Sequence, residues 1–186
     1  MTDIRRKTKI DKISNLVGEI MSELGIEPTE SNRLTPDRVA RMYVDEVFSS
    51  LSTPESELID QMTLFDVEDG AVPVTVTVPF YSMCEHHLMP FMGTVKVEYL
   101  PKNSIIGLSK IPRVVDYFSR KPQLQERLTQ EIGEFLWNII EPMSLKVTIT
   151  AQHTCVSMRG VKKPCETTTE WERKFNEEET CKDGDK

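Results

Sequence analysis

The chain has 186 residues, 38% of them hydrophobic and 28% charged, which is enough apolar surface for one core and at most a domain with an appendage. Thirty acids against 23 bases give a net charge of −7, which argues against the broad basic footprint of a nucleic-acid binder; an anionic ligand would have to be met by a local cluster of cations. The apolar runs fall far short of the ~20 residues that cross a bilayer, and Met1–Lys7 has no apolar stretch behind its basic residues, so the expectation is a cytoplasmic protein with no membrane span or signal peptide.

Ile10, Ile13, Leu16, Val17, Ile20, Met21 and Leu24 recur at three- and four-residue steps, the stripe of an amphipathic helix, with Gly25 as its C-terminal cap and Pro28 barring a restart. A second helix is predicted from Thr35-Pro36-Asp37 to about Phe48, with Thr35 as cap and Val39, Tyr43 and Val47 on one face. Ser52–Asp69 reads as a connector with some structure of its own. From Val72 the period changes to two: Val72, Val74, Val76, Val78 and Phe80 alternate with Pro or Thr, a half-buried strand whose prolines place it at an edge or bulge. Val95, Val97 and Tyr99 mark a second strand. Helical spacing returns between Ile111 and Ile140, where Pro122 is expected to open the longer helix. Leu124, Leu128, Ile132, Phe135 and Ile139 form its buried stripe, and Pro142 ends it. Leu145, Val147, Ile149 and Ala151 give a third strand, and Thr167, Thr169 and Trp171 a fourth. Two strand pairs flanking a helical pair predict an α+β layer, an antiparallel sheet with helices on one face. The expected organisation is a helical region and connector over 1–69, the sheet domain over 70–172, and a polar, frayed tail over 173–186.

The three histidines all lie beside cysteines, in Cys84-Glu85-His86-His87 and His153-Thr154-Cys155. A thiolate and an imidazole three positions apart in a turn can reach one ion. If the alternation of the third strand continues, His153 and Cys155 stay on its apolar face. Two cysteines and one histidine would leave an open tetrahedral position, as in a catalytic zinc site; a structural site would take a fourth ligand, from Cys165 or another histidine. Either motif alone is as well explained by chance or core packing. Together they use every histidine in the chain and predict a metal site, with the thiols reduced. Ser109-Lys110-Ile111-Pro112-Arg113 puts a hydroxyl and two cations at a helix start, Arg159-Gly160 follows Cys155, and Arg38 lies in the second helix. Singly these are surface charges; converging, they would suit a polyphosphate.

Ser82-Met83-Cys84-Glu85-His86-His87, Ile106-Gly107-Leu108-Ser109-Lys110, Gln123-Leu124-Gln125-Glu126-Arg127-Leu128-Thr129 and His153-x-Cys155-x-x-Met158-Arg159-Gly160 occur in the order seen in GTP cyclohydrolase I. Thr35-Pro36-x-Arg38-Val39-Ala40 and Met42-Tyr43-Val44-Asp45-Glu46 resemble that family too. The resemblance implies a tunnelling-fold subunit, a four-stranded antiparallel sheet backed by two helices, in a homodecamer of two pentamers with active sites at subunit interfaces. It implies conversion of GTP and water to 7,8-dihydroneopterin triphosphate and formate. By position, Cys84, His87 and Cys155 become Zn²⁺ ligands, His86 and His153 proton-transfer groups, and Ser109 an aid to the later sugar rearrangement. Glu126 reads guanine, Gln125 joins it in substrate binding, and Lys110, Arg113, Arg159 and Arg38 cradle the triphosphate. Glu85 is either an orienting partner of a ligand or an exposed charge. The sequence departs from the family after Thr167-Thr168-Thr169, and neither Cys165 nor Cys181 receives a role. The alternative is a non-catalytic zinc-binding homologue acting as a binding or regulatory subunit; His86, His153, Ser109 and Glu126, none needed by a structural zinc, favour the enzyme. A zinc nucleobase deaminase would need His-x-Glu followed by Pro-Cys-x-x-Cys, which the chain lacks.

Overall fold

The computed structural model describes residues 3–67 and 72–176, and it divides into units Met1–Glu55 and Ser56–Lys186. In the first unit, α1 (Asp3–Glu23) ends as its sequence predicts. Gly25 takes φ 70°, its N–H bonds Ser22 O at 2.9 Å and the N–H of Ile26 bonds Met21 O at 2.9 Å, the paired closure of a Schellman cap. The predicted stripe is only partly covered. Ile10 packs with Ala40, Val44 and Ile13, while Leu16, Ile20 and Leu24 are exposed. Thr35 is not the cap of α2 (Thr35–Arg41) but its first residue; Leu34 precedes it and no side chain caps the helix. Pro36 fits that first turn, where its missing N–H has no partner to lose. The helix widens into a π turn, Met42–Val47, closed by the N–H of Phe48 on Tyr43 O at 3.0 Å with the two rings 5.2 Å apart. Arg6 on α1 holds Asp45 of this turn through Nε and Oδ1 at 2.7 Å.

The connector does carry structure: α3 (Glu55–Ile59) and β1 (Leu64–Asp66). Then come β2 (Val74–Cys84), β3 (Pro90–Leu100), β4 (Ser104–Ile106), α4 (Lys110–Ser119), β5 (Pro122–Gln123), α5 (Gln125–Ile140), β6 (Ser144–His153), a helical turn α6 (Thr154–Ser157) and β7 (Glu166–Lys174). β1 and β4 form a two-stranded sheet, and the main sheet has the order β5-β2-β3-β6-β7. Its four long strands are antiparallel, as expected, so the α+β reading holds. The expected edge position of the proline-bearing strand also holds. Up to Ser82, β2 pairs with β3 alone among the described residues, and only Met83 and Cys84 gain β5, in parallel.

Pro122 does not open the long helix. It sits extended in β5, and α5 begins at Gln125 after an extended Leu124 (ψ 142°). Proline disfavours a helical residue before it but is at home in an edge strand, and this short strand is what ties α5 to the end of β2. Alternate residues of the long strands (Phe80, Val95, Val97, Val147, Ile149) meet Ile111, Val114, Val115 and Phe118 of α4 and Leu128, Ile132, Leu136 and Ile140 of α5 in one core. Each such side chain contributes about 1.5–3 kcal/mol by leaving water. Gly133 lets α5 approach β7: a Cβ there would lie 2.4 Å from the Trp171 ring. The tail expected over 173–186 starts too early: β7 runs through Lys174 and the N–H of Phe175 bonds Met143 O at 2.8 Å, while the rest of that tail, from 177 onward, lies outside the described residues, as does Cys181. Among the described residues no helix is long and apolar enough to cross a membrane.

Candidate metal centre

One end of the main sheet gathers the chemistry-bearing residues. β2 extends past Phe80 to Cys84, which is therefore the strand's last residue, and it is buried. The chain then reverses sharply. The N–H groups of His87 and Leu88 both bond Cys84 O, at 3.3 and 2.8 Å, and the N–H of Cys84 bonds Met89 O at 2.8 Å. Leu88 takes φ 50°, a left-handed conformation costing a side-chain-bearing residue about 1–2 kcal/mol, and the surrounding bonds hold it there. The reversal brings His87 Nδ1 to 3.9 Å from Cys84 Sγ.

Opposite, His153 closes β6 in register with Phe91 of β3. The alternation expected to carry Cys155 along the same strand stops there. Thr154–Ser157 winds into a helical turn, fastened by Met158 N–H on Thr154 O at 2.9 Å and Thr154 Oγ1 on Pro90 O at 2.5 Å. Cys155 reaches the site by that turn instead. It packs on the core edge, and its sulfur, the Cys84 sulfur and a His87 ring nitrogen all lie within 4.8 Å of one another. These three side chains can hold a metal ion. Burial pushes the Cys155 thiol up from its ordinary range, the neighbouring Cys84 adds to the effect, and the charge of Arg159 opposes it. Cys165, the candidate fourth ligand, is exposed and stands outside the group.

The surroundings are tied in. Arg159 Nη1 lies 2.8 Å from His87 Nε2, and Gly160 at φ 59° turns the chain just beyond it. Glu85 is not a bare surface charge: it pairs with Arg127 of α5, which also donates to Pro122 O at 3.0 Å and Gln123 Oε1 at 3.0 Å. Buried Gln123 in turn donates to Phe118 O at 2.8 Å and Glu131 Oε2 at 2.7 Å. The turn carrying His86 and His87 is thus clasped to the start of α5. The His153 ring stacks on Phe91 at 4.7 Å and 5°, with Nε2 2.8 Å from Gln125 Oε1. Burial lowers the pKa of His153, while the charge of Glu126 works against it.

A family model for GTP cyclohydrolase I matches residues 13–183, a span that includes every predicted site residue. The chain belongs to the GTP cyclohydrolase I family. A GTP cyclohydrolase 1 of Caldanaerobacter subterraneus subsp. tengcongensis is 47% identical over 157 residues, 83% of this chain and 81% of that protein. One from Clostridium perfringens is 39% identical over 175 residues, 92% of this chain and 93% of its own. A crystal structure of an archaeosine synthase QueF-Like in the apo form aligns with 55% of this chain and 95% of its own, at 19% identity and a TM-score of 0.45.

Among the family-matched positions, the structure joins Cys84, His87, Cys155 and Arg159 directly, and His153 with Gln125. His86 is exposed beside His87, the ring centroids 6.2 Å apart. Glu126 is exposed in the first turn of α5. Ser109 precedes α4 with no side-chain cap bond, Lys110 opens that helix, and Arg113 one turn on donates to Gln61 Oε1 at 3.1 Å. Arg38 belongs to α2 in the N-terminal unit. Sequence reasoning missed Phe91, Arg127, and Thr129 and Thr169, whose hydroxyls bond Gln125. Arg127 and Thr129 lay inside a quoted motif, but Phe91 precedes the first residue that the alternation of its strand revealed.

Proposed function

We propose that this protein is a zinc-dependent GTP cyclohydrolase I, hydrolysing GTP at C8 and rearranging it to 7,8-dihydroneopterin triphosphate with release of formate. The observation that carries the reading is the meeting of the Cys84, His87 and Cys155 ligand atoms within 4.8 Å in a chain of this family. Two sulfurs and one imidazole nitrogen are a zinc-type donor set, and three protein ligands leave a fourth position for water or substrate. Bound there, Zn²⁺ would lower the pKa of water toward ~7 and so supply hydroxide chemistry at neutral pH.

The chain's own residues do the rest. His153 exchanges a proton with purine N7; a pKa lowered by burial makes its imidazolium a readier donor. His86, exposed beside the metal group, shuttles protons during ring opening and formate release, and Ser109 assists the sugar rearrangement. The Glu126 carboxylate accepts from the N1–H and 2-amino group of guanine, whereas adenine would set a lone pair against it. Lys110, Arg113 and Arg159 supply positive charge for the triphosphate in an acidic protein, and Arg38 of α2 is the further cation that the family resemblance assigns to it. The antiparallel sheet with α4 and α5 on one face supports a tunnelling-fold subunit. Its outer edges, β7 and most of β2, each lack a second partner among the described residues and so are open to pairing with further copies, compatible with the homodecamer of two pentamers that the family resemblance implies.

Zinc-loaded protein incubated with GTP should yield equimolar formate and, after oxidation, a fluorescent pterin. Intact zinc-bound oligomer without turnover would overturn the enzyme and favour a binding subunit.

A further inference from the structure

We propose that Gln125 is the positioning residue of His153, fixing the neutral imidazole as its Nε2–H tautomer and leaving Nδ1 as the nitrogen that exchanges protons with substrate. The tautomer is a property of the protein alone; only the use made of the proton rests on the cyclohydrolase reading.

Gln125 is the first residue of α5 and is 2% exposed. Its Nε2 faces three acceptors, Ile149 O at 3.0 Å, Thr167 O at 2.9 Å and Thr169 Oγ1 at 3.2 Å. The two carbonyl oxygens have no hydrogen to give, so the amide nitrogen must lie on their side; a flipped amide would press Oε1 against both of them. The hydroxyls agree with this orientation. Thr129 Oγ1 donates to Gln125 O at 2.7 Å, which obliges Thr169 Oγ1, 2.7 Å away, to donate to Thr129 and keep its lone pairs for the Gln125 amide. Every proton in this chain is therefore assigned before His153 is considered.

Oε1 is left facing His153 Nε2 at 2.8 Å, and an amide oxygen only accepts. The Nε2 atom must carry hydrogen, and in the neutral ring Nδ1 then holds the lone pair. Phe91, fully buried and stacked 4.7 Å from the imidazole, fixes the ring plane while Gln125 fixes its rotation. Both amide hydrogens and the oxygen of Gln125 are thus occupied by protein atoms. The substrate-binding role expected for Gln125 from the family resemblance gives way to one behind the histidine rather than against the nucleotide.

Neutron diffraction from deuterium-exchanged crystals of the zinc-loaded protein, grown near pH 8 (about 1.5 units above an ordinary histidine), reads the tautomer without reference to activity. The expected result is deuterium on His153 Nε2 and none on Nδ1; deuterium on Nδ1 overturns the proposal. Kinetics of Gln125→Met, near in volume but without acceptor or donor, test the consequence. The expected kcat falls about 10- to 100-fold with KM for GTP nearly unchanged. A raised KM at unaltered kcat would instead make Gln125 a substrate contact and overturn it. Wild-type crystals with the expected deuterium in a protein that does not turn over GTP would support the positioning and sink the cyclohydrolase reading.

Discussion

Cys155 enters the metal group as a thiol that holds its proton more tightly than usual, because it is partly buried and stands beside a second cysteine. Only the thiolate ligates, so at any pH below its pKa Cys155 gives up one proton for each metal ion taken up. By linkage, the logarithm of metal affinity gains one unit per pH unit from this residue alone. From pH 6 to pH 8 that amounts to roughly 100-fold, stronger binding at the alkaline end. An unperturbed thiol, with a pKa near ~8.5, would begin to flatten the slope near the top of this range, whereas the raised one keeps it steep. Competition against a chromophoric chelator across that range, with calorimetry in buffers of different ionisation heat to count released protons, measures the effect. Cys155→Ala should weaken zinc binding and lower the slope by one. Equal slopes for the variant and the parent protein would refute the reasoning.

His153→Ala should keep its zinc and its fold while formate release falls about 100- to 10,000-fold, the range of a lost general acid; unimpaired release would remove His153 from the reaction. Glu126→Gln should raise KM for GTP roughly 10- to 100-fold, since charge-assisted hydrogen bonds are worth about 1.5–3 kcal/mol, and an unchanged KM would count against guanine reading. Gly133→Ala sets about 1 kcal/mol of helix propensity against about 1–3 kcal/mol of overpacking, because its Cβ would sit 2.4 Å from two carbons of Trp171. Urea unfolding should show a lower midpoint; a higher one would mean that the Trp171 ring yields freely.

The long elements were legible because burial imposed a period on them. Leu145, Val147, Ile149 and Ala151 alternate since one face of β6 meets the helices, and Leu128, Ile132 and Phe135 repeat at helical spacing since one stripe of α5 meets the sheet. Short elements carry no such period: β5 is two residues long and α6 is one turn, and those two set the geometry of the site. The stripe of α1 was read correctly as helical, yet Leu16, Ile20 and Leu24 find no cover, since periodicity reports an apolar face and not what lies on it. The metal group could be read from the pairing of every histidine with a cysteine. The place of Gln125 behind His153 could not, because an amide at a helix start looks like polar surface until the carbonyl oxygens of Ile149 and Thr167 are placed around it.

X-ray absorption at the zinc edge, on protein carrying one equivalent of metal per chain, tests the central claim most directly. The predicted first shell has two sulfurs near ~2.3 Å and one imidazole nitrogen at ~2.0–2.1 Å with a further light atom, and a sulfur is lost on Cys84→Ala or Cys155→Ala. A shell without sulfur, or one unchanged by either substitution, would contradict it.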